Sequence, residues 1–260
     1  MILLLPPSEL KRDGGDGSRV LDFDELSFPE LSLHRARVLD ALSSVSRSVE
    51  HANAALKLGP QQQFEIERNR SIRSSPVMPA LDRYTGVLYD ALRADSLSYQ
   101  ARQFAGRSLV VQSALFGLIG ADDPIPAYRL SHDSRLPGLG LKAHWRDAAA
   151  SALASTQRFV IDLRSEAYAA LGPRPESSIY IRVVSETADG RRVAASHFNK
   201  KAKGEFTHAV LSARIVHDCA ASLVEWAQDH GIRLEPGVTA GELELFVKAE
   251  AASVRQQRLK

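Results

Sequence analysis

Three lysines lie close together where a predicted strand meets a predicted helix. Lys200, Lys201 and Lys203 follow the alternating segment 192–197 and precede a helical pattern that begins at Glu205. The first turn of a helix already carries about half a positive charge, so cations there are mildly unfavourable. Free backbone N–H groups beside lysine side chains are typical of an anion site, and phosphate is the usual occupant. The alternative interpretation is a solvated basic turn that binds nothing.

Polar side chains also follow two of the predicted buried strands. Ser8 and Lys11 come soon after the strand 2–5, and Ser113 directly follows the strand 109–112. Ligand groups in α/β-type sheets are often found at the carboxyl ends of strands. These residues are therefore candidates for a phosphate site, although a polar turn without function has the same composition.

Two further groups of residues favour a ligand site. Asp162 lies within the apolar run 159–163, and a buried carboxylate requires a partner, for which a lysine from the run 200–203 is a candidate. Tyr128 and Arg129 follow two prolines, and a ring beside a guanidinium is typical of nucleotide and nucleic-acid sites. A structural Tyr–Arg pair is equally consistent with the sequence.

The sequence lacks the motifs of several familiar sites. It contains no GxGxxG or GxxxxGK(S/T) loop, no HExxH or Cys/His ligand spacing, and no GxSxG elbow. We therefore predict no cofactor and no metal ion. A lysine that is desolvated near other cations has a lowered pKa and can act as a base or a nucleophile. Lys11, Asp162 and Lys200 are the candidate catalytic residues.

The composition is that of an ordinary globular protein. The chain has 260 residues, of which 44% are hydrophobic and 25% charged. Its formal net charge is +2, so contacts with nucleic acid must come from local basic clusters. A single cysteine excludes an internal disulfide, and no apolar run reaches the ~18 residues of a membrane span. We expect a cytoplasmic protein that does not bind membranes and acts as a monomer.

Strands and helices alternate along the chain. Apolar runs predict strands at 2–5, 109–112, 159–163 and 179–184, and an Asp-Gly turn between 179–186 and 192–198 is typical of a hairpin. Helical spacing predicts helices at 29–58, 84–92, 143–154 and 205–230, whereas 239–252 fits either a strand or a helix. Because strands from both ends of the chain are apolar, we predict one α+β domain over residues 1–260.

Short motifs over most of the chain carry a family resemblance. They are Pro7-Ser8 with Lys11, Tyr84-Thr85-Gly86, Ser113-Ala114-Leu115-Phe116-Gly117, Pro126-Ala127-Tyr128-Arg129-Leu130, Leu141-Lys142 with Trp145, Asp162-Leu163-Arg164-Ser165-Glu166-Ala167-Tyr168, and His197-Phe198-Asn199-Lys200-Lys201-Ala202-Lys203-Gly204. Through these motifs the chain resembles the bacterial peroxide-stress protein YaaA family. The opening Pro6-Pro7-Ser8-Glu9 departs from the family's commoner Ser-Pro-Ala-Lys form, which moves the first lysine to Lys11.

The resemblance implies both a fold and a function. The implied fold is an α+β domain in which helices surround a mixed central sheet, with a positively charged cleft. A helix-hairpin-helix element is also implied, and its best match is 54–61 with Leu58-Gly59 as the hairpin. The implied function is that of a DNA-binding protein that lessens oxidative damage under hydrogen peroxide, in part by limiting free intracellular iron.

Two functional hypotheses follow. In the first, the protein binds double-stranded DNA, and Tyr128 stacks on an exposed base. The phosphates are then contacted by a set of basic and hydroxyl side chains, namely Ser8, Lys11, Ser113, Arg129, Lys200, Lys201 and Lys203. In the second, the protein is an enzyme that acts on a nucleobase or nucleotide, for example a base-excising lyase or glycosylase that uses a lysine amine. Binding of a small phosphate-bearing ligand is a third interpretation.

Overall fold

The computed structural model describes residues 1–187, 191–194 and 198–247. The β-strands in these residues are β1 (Ile2–Leu5), β2 (Met78–Pro79), β3 (Leu109–Ser113), β4 (Gly117–Gly120), β5 (Pro124–Ile125), β6 (Val160–Asp162), β7 (Ser178–Glu186), β8 (Arg192–Ala194), β9 (Leu234–Pro236) and β10 (Glu242–Val247). The α-helices are α1 (Ser32–Ser46), α2 (Val49–Leu56), α3 (Phe64–Arg70), α4 (Ala80–Arg83), α5 (Val87–Leu92), α6 (Tyr99–Ser108), α7 (Leu141–Ser155), α8 (Glu166–Ala169), α9 (Asn199–Ala213) and α10 (Ala220–Asp229). Among the described helices, none combines the length and the apolar character that crossing a membrane requires.

A mixed sheet forms the centre of the fold. Its strands follow the order β4-β3-β1-β6-β7-β10-β9, and β8 pairs with β7. Strands β3, β1, β6, β7 and β10 run parallel to one another, whereas β4, β8 and β9 are antiparallel to their neighbours. The predicted α+β fold, with helices around a mixed central sheet, is therefore confirmed.

The central strands are buried along their whole length. Every residue of β1, β3 and β6 is buried. Continuous apolar runs of this kind are expected where helices cover both faces of parallel strands. The strands predicted at 2–5, 109–112 and 159–163 are confirmed at these positions.

Strand β1 lies between β3 and β6, and the order of the strands along the chain reverses direction at this position. From β1 the chain continues to its neighbour β3 on one side, and only later to β6 on the other. A crevice opens beyond the carboxyl ends of the strands at such a switch in strand order, and ligands of open α/β sheets bind there. The backbone N–H of Leu163 donates to the Leu4 carbonyl at 2.8 Å, so the segments that leave β1 and β6 start side by side. These segments are therefore the expected position of a ligand site.

Two of the long predicted helices are each divided in two. The prediction of one helix over 29–58 is wrong at Ser48, whose backbone is extended and whose hydroxyl accepts a hydrogen bond from the N–H of His51. A serine in this position ends one helix and caps the next. The prediction of one helix over 205–230 is wrong at Arg214, which ends α9 in a left-handed conformation (φ 59°).

Helix α9 begins earlier than its apolar pattern predicts. It starts at Asn199 rather than at Glu205, so Lys200 and Lys201 lie in its first turn, which contains no acidic residue. The prediction that the lysine run lies at a helix start is therefore confirmed. The preceding residues 195–197, which include the predicted end of a strand, lie outside the described residues.

The remaining differences concern short elements. The segment 239–252 contains the strand β10, parallel to β7, and its residues beyond 247 are not described. The predicted hairpin is confirmed by the antiparallel pairing of β7 with β8, although its turn residues 188–190 lie outside the described ranges. The helix predicted at 84–92 begins only at Val87, because Gly86 has a φ of 95°. The helices α3, α4 and α6 and the strands β2, β4, β5 and β9 were not predicted.

Gly204 sets the distance between helices α5 and α9. A Cβ at this position would lie 2.1 Å from the Leu88 carbonyl oxygen and 2.9 Å from the Ala91 Cβ. Glycine within a helix is unfavourable by roughly 0.5–1 kcal/mol relative to alanine, so this close approach explains its presence. The contact holds the first turns of α9 against α5.

We expect Gly204→Ala to destabilise the protein. The added methyl group must push α5 and α9 apart, and overpacking of this kind typically costs about 1–3 kcal/mol. Urea unfolding followed by circular dichroism measures the change in the free energy of unfolding. Gly17→Ala is the matched control, because a Cβ at Gly17 meets no atom within 4 Å. Equal stability of the two variants would contradict this account of the packing.

Candidate functional site at the carboxyl edge of the sheet

A buried ion pair forms the base of the candidate site. At the end of β6, Asp162 accepts hydrogen bonds from Arg164 Nε at 2.9 Å and from its terminal nitrogen at 2.6 Å. Both side chains are completely buried. Arg164 also donates to the Gly172 carbonyl at 2.8 Å and to the Gln112 side-chain oxygen. The predicted lysine partner of Asp162 is therefore wrong, because the arginine two residues along the same extended segment reaches the carboxylate first.

Lys203 lies directly beside this pair. Its Nζ donates to the Arg164 carbonyl oxygen at 3.0 Å and lies 4.9 Å from the centroid of the Tyr180 ring. The Tyr180 hydroxyl donates to the same carbonyl at 3.0 Å. Burial lowers the pKa of Lys203 to about 8; the Asp162 carboxylate opposes this shift, and the Arg182 guanidinium adds to it. The lysine is therefore partly neutral near physiological pH.

Lys11 is a second buried lysine, in the segment that leaves β1. Its Nζ donates to the carbonyls of Ser8 (2.9 Å) and Glu9 (3.3 Å), and it lies 4.0 Å from the centroid of the Tyr128 ring. Burial lowers its pKa to about 7, although the nearby Glu65 carboxylate favours the charged form. Sequence reasoning singled out both lysines, and the structure places them beside neighbouring parallel strands, β1 and β6.

The hydroxyl groups near Lys11 form a continuous line of buried hydrogen bonds. The Tyr128 hydroxyl lies 2.7 Å from Ser113 Oγ and 2.8 Å from the Tyr84 hydroxyl. Ser113 Oγ also accepts from the backbone N–H groups of Leu115 and Phe116, both at 3.0 Å. Tyr128 and Ser113 are fully buried, so the prediction that Tyr128 stacks on an exposed base is wrong. These groups pack on the buried side of Lys11, and they have no exposed surface for a ligand.

The remaining candidates lie closer to solvent. Lys200 and Lys201 are exposed at the start of α9, and Ser8 is half-buried. Arg129 is 7% exposed and pairs with Glu9 at 2.8 Å, while its Nε has no hydrogen-bond partner in the described part of the chain. The Glu9 side chain is 55% exposed, so this carboxylate stands between Arg129 and the solvent.

The helix-hairpin-helix element stays a prediction, as does the basic cleft. Helices α2 and α3 do flank the turn at 57–63. The N–H of Gly59, however, donates to Gln62 Oε1 at 3.0 Å, so this donor is already used within the turn. Lys57 pairs with Asp133 at 2.5 Å.

In the described ranges, no group of three or more His, Cys, Asp or Glu side chains is arranged to hold a metal ion.

Sequence reasoning missed Arg164 and Tyr180, which complete the site. A signal for Arg164 was present, because residues two apart in an extended segment point to the same face and Asp162 needed a partner. Tyr180 gave no such signal. It lies within an apolar strand, and only the pairing of β6 with β7, which places Tyr180 beside Asp162, brings its ring to Lys203.

The lowered pKa of Lys203 predicts a dependence of stability on pH. The folded pKa of about 8 lies below the unfolded value of 10.5, so the unfolded chain binds more protons between these values. Stability must therefore rise with pH in that window, by at most about 1.4 kcal/mol per pH unit. We expect Lys203→Met to be more stable than the wild type at pH 7, with a difference that shrinks by about 2 kcal/mol at pH 9.5.

Urea unfolding at the two pH values tests this expectation. Lys201→Met is the matched control, because the Lys201 side chain is 59% exposed and its difference from the wild type is expected to stay constant. A difference for Lys203→Met that does not change with pH would contradict the lowered pKa.

Comparison with known proteins identifies the family. The family model described as "Peroxide stress protein YaaA" matches residues 1–231. A UPF0246 protein of Corynebacterium glutamicum is 42% identical over 241 residues, which cover 90% of this chain and 95% of the relative. UPF0246 proteins of Corynebacterium efficiens and Streptomyces coelicolor are 40% and 39% identical over 240 residues, covering 90% of this chain and 95% and 92% of the relatives. The resemblance drawn from the motifs is thus confirmed, and the chain belongs to the peroxide stress protein YaaA family.

Proposed function

We propose that the protein binds DNA through phosphate groups at the carboxyl edge of the sheet, and that this contact limits damage to DNA under hydrogen peroxide. The observation that carries the proposal is the pair of exposed lysines, Lys200 and Lys201, in the first turn of α9. No acidic residue of that turn neutralises them. The name of the family model supports the connection with peroxide stress.

The ammonium groups of both lysines are available to a ligand. Lys201 lies 3.7 Å from Glu205, and both side chains are more than half exposed. An exposed pair at this spacing contributes only about 0.3–0.5 kcal/mol, so a phosphate can replace the carboxylate at little cost. Lys200 has no ion-pair partner among the described residues. Backbone N–H groups at the start of α9 favour the same negative charge.

Arg129 is a further phosphate contact in this proposal, but only after a rearrangement. Its guanidinium is buried behind Glu9, which is the side of the pair that solvent reaches. Movement of the exposed Glu9 side chain would release one nitrogen of Arg129, and its unpartnered Nε is a second donor. Arginine presents such donors in a planar fork that matches phosphate oxygens. Lys200 and Lys201 therefore make the first contacts, and Arg129 follows.

Duplex binding at several salt concentrations tests the proposal. The logarithm of the binding constant is expected to fall linearly with the logarithm of the salt concentration, because cations are released from phosphates. Lys200→Ala should weaken binding to unrelated sequences equally and lower this slope by about 0.9, the value for one lost contact. Fluorescence anisotropy with a labelled duplex measures both quantities.

The matched control is Arg107→Ala. Arg107 is also exposed, but it lies in the last turn of α6 just before β3, at the amino edge of the sheet. We expect its removal to leave the slope unchanged. The proposal fails if the wild type does not bind a duplex at about 50 mM salt, or if Arg107→Ala lowers the slope as much as Lys200→Ala does.

A further inference from the structure

Lys203 and Lys11 differ in the number of hydrogen bonds that the amine donates. Lys11 Nζ donates to two carbonyls and faces the Tyr128 ring, so each direction around its nitrogen is taken. Lys203 Nζ donates to a single carbonyl, that of Arg164, and lies 4.9 Å from the centroid of the Tyr180 ring, farther than Lys11 lies from the Tyr128 ring. In the described part of the chain, no carboxylate pairs with Lys203; Asp162 and Glu166 act on it only from a distance. Because an amine can make three such bonds, Lys203 keeps room for another partner.

A protonated phenol stands next to this amine. Tyr180 and Lys203 both donate to the Arg164 carbonyl oxygen, each at 3.0 Å. Burial raises the pKa of Tyr180 to about 12, so its hydroxyl keeps its proton at neutral pH. A partly neutral amine beside a proton donor suits imine formation, because the attacked carbonyl oxygen must be protonated to leave as water.

The side of the site that opens to solvent carries charged groups. Lys203 itself is 3% exposed. The charged groups near it toward the surface are Arg182 and Glu166, which pair at 3.2 Å, and Glu166 is 75% exposed. Exposed ion pairs are weak, so Glu166 can move away while Arg182 stays paired with Glu242 at 2.7 Å. A substrate can then approach Lys203 from the exposed start of α8, at Ser165 and Glu166.

Lys200 indicates what the substrate carries. It is exposed and lies three residues before Lys203, so the two side chains share one face of α9. Three residues span about 4.5 Å along the helix axis, so a phosphate held by Lys200 would stand within about one helical turn of the Lys203 position. That separation fits a phosphate and a carbonyl carbon of the same sugar unit.

We propose that Lys203 Nζ is an amine nucleophile that forms an imine with an aldehyde on a phosphate-bearing sugar. The lone pair of the neutral amine attacks the carbonyl carbon, a C–N bond forms as the π bond to oxygen breaks, and one proton moves from the nitrogen to the oxygen. Tyr180 then protonates the hydroxyl group of this carbinolamine, the C–O bond breaks, water leaves and the protonated imine remains. The Tyr180 phenolate regains its proton from solvent. Base-free deoxyribose in DNA and a free sugar phosphate share this chemistry. Only the first source depends on the DNA binding proposed above.

Borohydride trapping tests the proposal. The full-length protein is incubated at pH 8 with sodium cyanoborohydride and either 2-deoxyribose 5-phosphate or a duplex that contains one base-free site. The reductant turns the imine into a stable secondary amine, which peptide mass spectrometry locates. We expect Lys203 to be modified at least about tenfold more than Lys201, because a large fraction of the Lys203 amine is neutral at this pH. Unphosphorylated 2-deoxyribose is expected to modify Lys203 several-fold less.

Two variants separate the amine from its charge. Lys203→Arg keeps a cation but no reactive amine, and it is expected to lose the adduct. Lys201→Arg is the matched control on the same helix and should keep the adduct at Lys203. The wild-type peptide map needs no variant, so the test stands even if Lys203→Arg folds poorly. Modification spread over exposed lysines without enrichment at Lys203 would overturn the proposal.

The two substrates distinguish this proposal from DNA binding. If 2-deoxyribose 5-phosphate labels Lys203 but the duplex is neither bound nor trapped, the amine chemistry holds and the proposed DNA binding fails. If the duplex is bound but neither substrate labels Lys203, DNA binding holds and the amine chemistry is refuted. Labelling of Lys203 by both substrates supports base-free deoxyribose in DNA as the source of the aldehyde.

Discussion

The ion pair of Asp162 and Arg164 holds the carboxyl edge of the sheet together. Both side chains are completely buried, and the guanidinium also binds the Gly172 carbonyl and the Gln112 side chain. Removal of one partner from such a pair leaves an uncompensated buried charge, which typically costs about 3–5 kcal/mol. The pair also fixes the Arg164 backbone, whose carbonyl oxygen is the acceptor for both Lys203 and Tyr180. The position of the amine therefore depends on a charge pair that it does not itself join.

Keeping a lysine in this position is costly for the fold. The lowering of the Lys203 pKa from 10.5 to about 8 corresponds to about 3 kcal/mol at neutral pH. No described carboxylate pairs with Lys203 or Lys11 to offset this cost. A methionine or leucine would fill either space without it. Strongly perturbed groups of this kind cluster at functional sites, where the perturbation serves binding or catalysis.

Several parts of the site could be predicted from the sequence. Continuous apolar runs located the central strands, and the carboxyl ends of these strands carry Lys11 and Asp162. The unfavourable position of the lysines 200–203 at a predicted helix start indicated where α9 begins. These features are local, because each depends on a short stretch of chain and its periodicity.

Other parts could not be predicted, because they depend on contacts between distant segments. The burial of Tyr128 follows from its packing against Phe116, with ring centroids 5.2 Å apart, and from its hydroxyl contacts, which no pattern near Tyr128 reveals. Lys200 is exposed, whereas Lys203 is buried against the Arg164 carbonyl and the Tyr180 ring, which lie in segments distant from α9 in the chain. Asp162 pairs with Arg164 and not with a lysine of the run 200–203, and the arginine is only two residues away in the chain.

The most direct test of the account is the titration of the Lys203 amine in the folded protein. Two-dimensional NMR of protein labelled with ¹³C-lysine follows the Cε resonance of each lysine between pH 6 and 11, and Lys203→Arg assigns the resonance of Lys203. We expect a midpoint of about 8 for Lys203. A Lys203 midpoint at or above its ordinary value of 10.5 would contradict the account, because the amine would then be fully protonated at neutral pH.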